Sequence, residues 1–362
     1  MQYSHSLNTF FFCLFLAVVI GFASSAYAQK HLFYEQTSFA HSEALPLNIV
    51  LDGWKVPYSD GEFTQGFIRS ELGVQVPGYR FSLLYRIEAQ LKYNSDTVEF
   101  IHRTKNKDAL DAQRKYDILL DAYHFDARGF KVGFDQRWSE KISTSLEVSF
   151  LQAKQIIEGK LYGDATAISE KDYDFNLAVD YRYSEDHLFD RKVNRPEGYG
   201  FALDFSIHLN PNNNFEIDLS VFDLFGLIYW ENAPRTDASA SSGVKHYDEL
   251  GYVIYEPVLS GWETTGAYTM RLKPRTVLTL THHMNDVALV SSFMHTSLSD
   301  YLSLESIIKL SQHRLVLGME FVTTSFKIGY AYKHFSVDLM FDNPNYKKTK
   351  AGGLNLVFSF PI

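Results

Sequence analysis

One segment, residues 79–93, constrains the fold of this chain more than any other. Apolar or aromatic residues occupy every second position from Tyr79 to Tyr93, polar or charged residues stand between them, and only Leu84 breaks the alternation. Successive side chains of a β-strand point to opposite faces, so the pattern predicts one long strand with an apolar and a charged face. Soluble strands usually have about 5 to 6 residues, whereas a tilted strand that crosses a bilayer needs about 9 to 11. The segment is therefore typical of a membrane-spanning strand.

The same alternation returns along most of the chain. It is clearest in 66–76, 142–152, 173–183, 199–209, 215–221 and 315–341, and weaker in 98–104, 114–124, 130–138, 227–231, 263–272, 276–284, 288–298 and 301–310. These segments predict about 14 to 18 strands. Only closure removes unpaired strand edges inside lipid, so we expect an all-β fold, a transmembrane antiparallel β-barrel of about 16 strands. A soluble all-β protein is the alternative fold.

The start of the chain indicates export. An apolar block from Phe10 to Ile20 precedes Ala26-Tyr27-Ala28, which is the pattern of a secretory signal peptide cleaved after Ala28. The block is shorter than the roughly 20 residues that a helical membrane span requires. Cys13 is the only cysteine and would be removed with the signal peptide, so we expect neither a disulfide nor a thiolate site.

The domain organisation follows from this export signal and from the strand pattern. Residues 1–28 are the predicted signal peptide, 29–61 are less regular and are a periplasmic lead-in or a plug in the lumen, and 62–362 form the barrel. We expect residues 231–261 to be a long surface loop. The connections 154–171 and 184–197 are also long, and one of them could contain another hairpin or a strand that extends past the bilayer.

Composition excludes two classes of protein. No apolar run after Ala28 approaches 18 residues, so helical membrane spans are not expected. The formal net charge is −9 and no basic stripe is visible, so nothing indicates nucleic acid binding.

The end of the chain resembles the C-terminal strand of Gram-negative outer-membrane β-barrel proteins. In that family a glycine precedes alternating apolar and aromatic positions, which the assembly machinery reads as an insertion signal; the matching residues here are Gly353, Leu356, Phe358 and Phe360. This chain departs from the family by adding Pro361 and Ile362 after the last aromatic residue. The resemblance implies location in the outer membrane, with membrane lipid, the barrel-assembly machinery and periplasmic chaperones as partners.

The resemblance identifies no subfamily. The segment 223–230 is similar to a motif of uncharacterised bacterial barrel proteins, and that likeness implies no activity.

Charged residues on the face opposite the apolar one are the candidate functional residues. The candidates for lining the lumen are Arg80, Arg86, Glu88, Lys92, Asp204, Glu216, Asp218, Glu305, Lys309, Glu320 and Lys327. A charged lumen favours a pore or transporter for small solutes. The charges could instead pair across a closed interior, which would make the protein a non-conducting structural, assembly or surface-binding barrel.

No constellation in the sequence is typical of an enzyme, and we expect no cofactor or metal. His282 and His283 are adjacent, so in a strand they point to opposite faces and cannot easily share a metal ion. An outer-membrane hydrolase using His295 with a serine among Ser291, Ser292 and Ser297 is a remote alternative. Asp223 interrupts an apolar face and is interpreted as a β-bulge or strand end rather than a site.

Overall fold

The computed structural model describes residues 30–48, 58–186, 188 and 191–362. The predicted signal peptide and Cys13 lie outside these residues. The described part contains one helix, α1 (Ser95–Asn106), and sixteen strands. The strands are β1 (His31–Ser42), β2 (Phe63–Val76), β3 (Tyr79–Tyr93), β4 (Lys115–Arg137), β5 (Ile142–Ser169), β6 (Asp172–Tyr183), β7 (Gly198–Asn212), β8 (Phe215–Tyr247), β9 (Val253–Arg271), β10 (Arg275–Met284), β11 (Val287–His295), β12 (Asp300–Leu310), β13 (His313–Glu320), β14 (Ser325–Tyr332), β15 (Phe335–Phe341) and β16 (Ala351–Pro361).

The strands form one antiparallel sheet that closes on itself. Among the described residues, 14 strands make the closed barrel, and β6 and β9 lie outside it. The closing seam is the pairing of β1 with β16, which runs from His31 opposite Pro361 to His41 opposite Ala351. The all-β fold and the closed barrel are confirmed, and the 14 barrel strands lie at the lower end of the expected range of 14 to 18.

The first barrel strand corrects the expectation for residues 29–61. His31–Ser42 pairs along its whole length with β16 on one side and β2 on the other, so this part is neither a lead-in nor a plug. Its inner positions are Phe33, Glu35, Thr37 and Phe39. The alternation is hard to see in the sequence because polar residues occur on both faces: Glu35 and Thr37 on the inner face, and Gln36 and Ser38 on the outer face.

Two strands continue far beyond the barrel and carry β6 and β9 with them. The second half of β5 pairs with β6, and the second half of β8 pairs with β6 and β9. The start of β4 pairs with the second half of β5 and forms one edge of this extension. We call the extension, made of the start of β4, β6, β9 and the second halves of β5 and β8, the upright sheet. Residues 231–261 therefore belong mainly to a β-hairpin rather than to a long loop, and 154–169 continue β5. Small and polar residues replace the apolar alternation in the second half of β8, which concealed that strand. β6 and the end of β9 agree with the predicted strands 173–183 and 263–272.

Ion pairs fix the strands of the upright sheet. Arg235 of β8 donates hydrogen bonds of 2.7 Å to both carboxylate oxygens of Asp180 on β6. These bonds from the guanidinium lower the pKa of the Asp180 carboxyl below its usual range.

Residues 98–104 form part of α1, so the weak strand prediction for them is wrong. Asn94 begins the helix, because its side-chain oxygen accepts a hydrogen bond of 2.9 Å from the backbone N–H of Thr97. In the described part of the chain, no helix is both long enough and apolar enough to cross a membrane.

α1 covers the upper edge of β4. The Asp96 carboxylate accepts a hydrogen bond of 3.0 Å from the backbone N–H of Asp117, and the Thr97 hydroxyl accepts one of 2.8 Å from that of Leu119. Thr97 also donates to the Leu119 carbonyl. Side chains of the helix thus satisfy backbone groups that no neighbouring strand reaches.

The two faces of the barrel wall differ in polarity. β3 coincides with the predicted strand, and its side chains alternate as expected: Leu83 and Tyr85 lie on the exposed outer face, and Ser82 and Arg86 are buried inside. The outer face of other strands is likewise apolar, with exposed Leu72, Phe134, Leu146, Phe150, Phe201, Leu304, Leu317, Phe326 and Ile328.

Gly129 of β4 tests how tightly the wall packs. A Cβ at this position would collide with the carbonyl oxygen of Phe150, so Gly129→Ala should destabilise the folded barrel by about 1–3 kcal/mol. The control is Gly266→Ala, because a Cβ at Gly266 meets nothing within 4 Å. The urea midpoint of the detergent-folded barrel, followed by tryptophan fluorescence, measures both, and equal midpoints would contradict this packing.

Candidate functional site

A β-bulge in β8 brings an acidic side chain into the lumen. The ladder with β7 shifts between Leu203 and Phe205, so that Asp223 lies outside the regular pairing, with a φ of 53°. Its backbone N–H donates a hydrogen bond of 2.8 Å to the Asp204 carboxylate of β7. The expected bulge is present, and the bulged side chain is also part of the candidate site, which the sequence interpretation missed.

Arg86 of β3 meets this bulge from across the barrel interior. Its two terminal nitrogens donate hydrogen bonds of 2.8 and 2.6 Å to the two carboxylate oxygens of Asp223. It also pairs with Glu88, and its side chain is only 2% exposed. A fork of this kind, with two parallel hydrogen bonds, fixes both partners in one geometry.

A second group of ion pairs adjoins the first. Arg69 pairs with Asp204 and, at 3.0 Å, with Glu71. Lys131 lies 2.6 Å from Glu71 and 2.5 Å from Glu147.

The second group also includes Arg80, which lies 2.6 Å from Glu35. Asp204 connects the two groups, since it binds both Arg69 and the backbone of Asp223. We call this set the charged layer; its members are Glu35, Arg69, Glu71, Arg80, Arg86, Glu88, Lys131, Glu147, Asp204 and Asp223.

An apolar cluster fills the interior next to the charged layer. It is centred on Trp230, which is 0% exposed, and on Phe125, whose ring lies 5.1 Å from the Arg86 guanidinium carbon. Its other large members are Leu84, Tyr123, Leu151, Ile156, Ile228, Met270 and Leu272. These side chains come from β3, β4, β5, β8, β9 and the residue after β9, and they form one buried cluster.

Two adjoining cavities lie inside the barrel next to the charged layer. One of about 370 Å³ is bordered by the charged layer and by Arg275 of β10. The other, of about 330 Å³, is bordered by Tyr301, Glu305 and Lys327. Both cavities are lined by Thr37, Phe67, Val277 and Met294. The junction of the two cavities therefore lies against β1, β2, β10 and β11.

The residues proposed to line the lumen occupy the inner face of the sheet, but in different settings. Arg80, Arg86, Glu88 and Asp204 belong to the charged layer. Near the second cavity, Lys327 pairs with Glu305 at 2.5 Å, and Glu320 accepts hydrogen bonds from the backbone of Leu302 and Val322.

The remaining four candidates lie away from both cavities. Asp218 pairs with His208 at 2.6 Å and Glu216 with His283 at 3.0 Å. Lys92 and Lys309 are exposed.

Several inner charges were missed in the sequence: Glu35, Arg69, Glu71, Lys131, Glu147, Asp223 and Arg275. Arg69 and Glu71 were detectable, since they alternate with the apolar residues of the predicted strand 66–76. Arg275 begins its strand and had no such pattern around it.

The adjacent histidines His282 and His283 point to opposite faces of their strand, as expected. His282 stacks on Phe215 at a ring distance of 4.3 Å, while His283 is 3.0 Å from Glu216 on the other face. Nδ1 of His295 lies 2.6 Å from Asp300, and Ser297 donates a hydrogen bond to Gln90 instead. Within the described ranges, no group of three or more His, Cys, Asp or Glu residues could hold a metal ion.

No protein-family model and no curated protein matches this chain. Solved structures that it resembles include the Pseudomonas putida toluene transporter TodX, with 8% identity and a TM-score of 0.43, covering 94% of this chain and 90% of the other. The CymD monoaromatic hydrocarbon channel has 10% identity and a TM-score of 0.38, covering 91% and 87%. A Pseudomonas aeruginosa FadL homologue has 9% identity and a TM-score of 0.36, covering 92% and 88%. At identities and TM-scores this low, the function has to be argued from this chain's own residues.

Arg86→Met tests the charged layer. The substitution leaves Asp223 and Glu88 buried without their cation, which should cost about 3–5 kcal/mol of folding free energy. Arg128→Met is the control, because Arg128 lies exposed on the outer face and makes one long hydrogen bond to Gln152. Urea unfolding compares the two variants; a loss for Arg86→Met no larger than for the control would show that the layer carries little energy.

Proposed function

We propose that this chain is an outer-membrane channel of a Gram-negative bacterium that passes small solutes through its barrel. The observation that carries the proposal is the polarity of the closed wall, which has apolar side chains outside and ion pairs inside. A soluble protein of this size buries its apolar residues and exposes its charges. The reverse arrangement is stable when lipid surrounds the barrel and water or polar groups fill it.

The loops support one orientation in the membrane. The short turns at 77–78, 213–214, 285–286 and 333–334 lie at the end of the barrel where both termini emerge, and outer-membrane barrels place short turns in the periplasm. The longer connections and the upright sheet then face the outside. The predicted signal peptide of 1–28 agrees with export to this compartment.

The C-terminal strand fits the assembly role proposed for it. Phe358 and Phe360 lie on the outer face, where a chaperone or the assembly machinery could bind them before insertion, and Phe358 packs 5.0 Å from Phe335. Gly353 is opposite Phe39 and Met340 in the two neighbouring ladders.

The two cavities give the proposed path its position and its size limit. The junction of the two cavities is lined by Thr37, Phe67, Val277 and Met294, so a solute would move past these residues of β1, β2, β10 and β11. Met294 borders both cavities and marks the junction between them. Volumes of this size suit small molecules rather than peptides or large chelates.

Planar-bilayer recording tests the channel. Purified wild-type protein should give discrete conductance steps, and Met294→Trp should reduce them by about twofold or more, because the larger ring narrows the junction. The matched control is Met319→Trp, whose side chain lies on the outer face, paired with Leu304. A wild-type barrel that is electrically silent would overturn the proposal and favour a non-conducting barrel.

Extraction tests the membrane location separately. The mature protein should require detergent for release from cell envelopes and should migrate faster on a gel before heating than after it, since a closed barrel resists unfolding in the sample buffer. Release without detergent, together with identical migration in both conditions, would contradict the outer-membrane placement.

A further inference from the structure

Arg275 is the one charged side chain at the first cavity that has no ionic partner among the described residues. It begins β10, opposite Phe222 in the ladder with β8. Its guanidinium carbon lies 3.6 Å from the centre of the Phe67 ring and 5.0 Å from that of Phe222. The guanidinium borders the cavity of about 370 Å³. The guanidinium carries five N–H donors, and none of them has a hydrogen-bond acceptor in the described part of the chain.

The surrounding carboxylates are already engaged. Asp223 and Glu88 bind Arg86, and Asp204 binds Arg69. Glu35 binds Arg80, while Glu71 and Glu147 share Lys131. A carboxylate that moved toward Arg275 would leave one of these buried cations short of its partner, which is costly in a confined interior.

Arg69 supplies a second unsatisfied donor at the same cavity. Its Nη1 atom is buried and has no hydrogen-bond partner in the described part of the chain, and the residue is only 9% exposed. Its guanidinium carbon lies 5.1 Å from the centre of the same Phe222 ring that Arg275 contacts. Two like charges therefore converge on one ring. Water can accept their hydrogen bonds, but an anion accepts them as charge-assisted bonds, which are about twice as strong.

We infer that this cavity binds a small oxyanion, with Arg275 as its main ligand and Nη1 of Arg69 as a second donor. A carboxylate fits best, because its two oxygens match the fork of a guanidinium. Glu35, Glu71 and Glu147 also border the cavity and would repel a second negative charge. The site should therefore prefer a monoanion, such as acetate, over sulfate. This inference rests on the proposed function only in assigning the anion to the solute path.

Methyl NMR of the detergent-folded full-length mature protein tests the site. Met294 borders the cavity, so its ¹³C-labelled methyl group should shift saturably when sodium acetate is added at constant ionic strength. Met319 on the outer face is the internal control and should not move. Sodium sulfate should produce less than about a tenth of the acetate effect at equal concentration if a monoanion is preferred.

Two variants assign the effect to Arg275. Arg275→Gln removes the charge and should weaken the acetate response at least about tenfold, whereas Arg275→Lys keeps the charge and should retain part of it. Arg314→Gln is the matched control, since Arg314 is an exposed arginine on the inner face of β13, away from this cavity. If Arg275→Gln does not give a heat-modifiable barrel, the comparison of Arg275→Lys with the wild type decides.

The outcomes separate this inference from the channel proposal. A saturable Met294 shift in a barrel without conductance would support the anion site and overturn the channel. Conductance without any Met294 shift would support the channel and overturn the anion site. A shift that chloride reproduces equally, or that Arg275→Gln leaves unchanged, would overturn the anion site.

Discussion

Closure of the sheet through β1 and β16 is the constraint on which the rest of this structure depends. An open sheet would present two rows of unpaired N–H and C=O groups, each of which would cost several kcal/mol in lipid. The seam joins residues far apart in the chain, as in the hydrogen bond from Thr37 to Asn355, which are separated by 318 positions. Once it forms, every barrel strand has two neighbours, and the alternation of side chains divides the protein into an outer apolar face and an inner polar one.

The inner face solves a second problem, which is how to enclose many charges. Isolated buried charges are strongly unfavourable, and a buried ion pair often only breaks even against apolar residues of the same size. The charged layer therefore does not need to stabilise the barrel in order to be useful. Its bidentate contact between Arg86 and Asp223 holds two long side chains in one geometry, and the layer forms one border of the first cavity.

Strands whose side chains alternate with a period of two were predicted from the sequence, and strands without this alternation were missed. β3 agrees with its prediction residue for residue, because one of its faces is apolar throughout. β1 was missed since polar residues occupy both of its faces, and the second half of β8 was missed since small and polar residues replace the apolar alternation there. The bulge at Asp223 was foreseen, but its contact with Arg86 joins strands distant in sequence. The setting of Arg275 was missed for the same reason, because the Phe67 and Phe222 rings that it contacts lie on other strands.

The upright sheet has two edges, and they are unlike. α1 covers the edge of β4 through Asp96 and Thr97, whereas in the described part of the chain β9 pairs only with β8. An open strand edge invites another strand to add to it. Because just one edge is open, two copies meeting edge to edge would use up the pairing capacity of both. Growth by strand addition would stop at a pair, so a crowded surface of these proteins could not polymerise into a continuous sheet by this route.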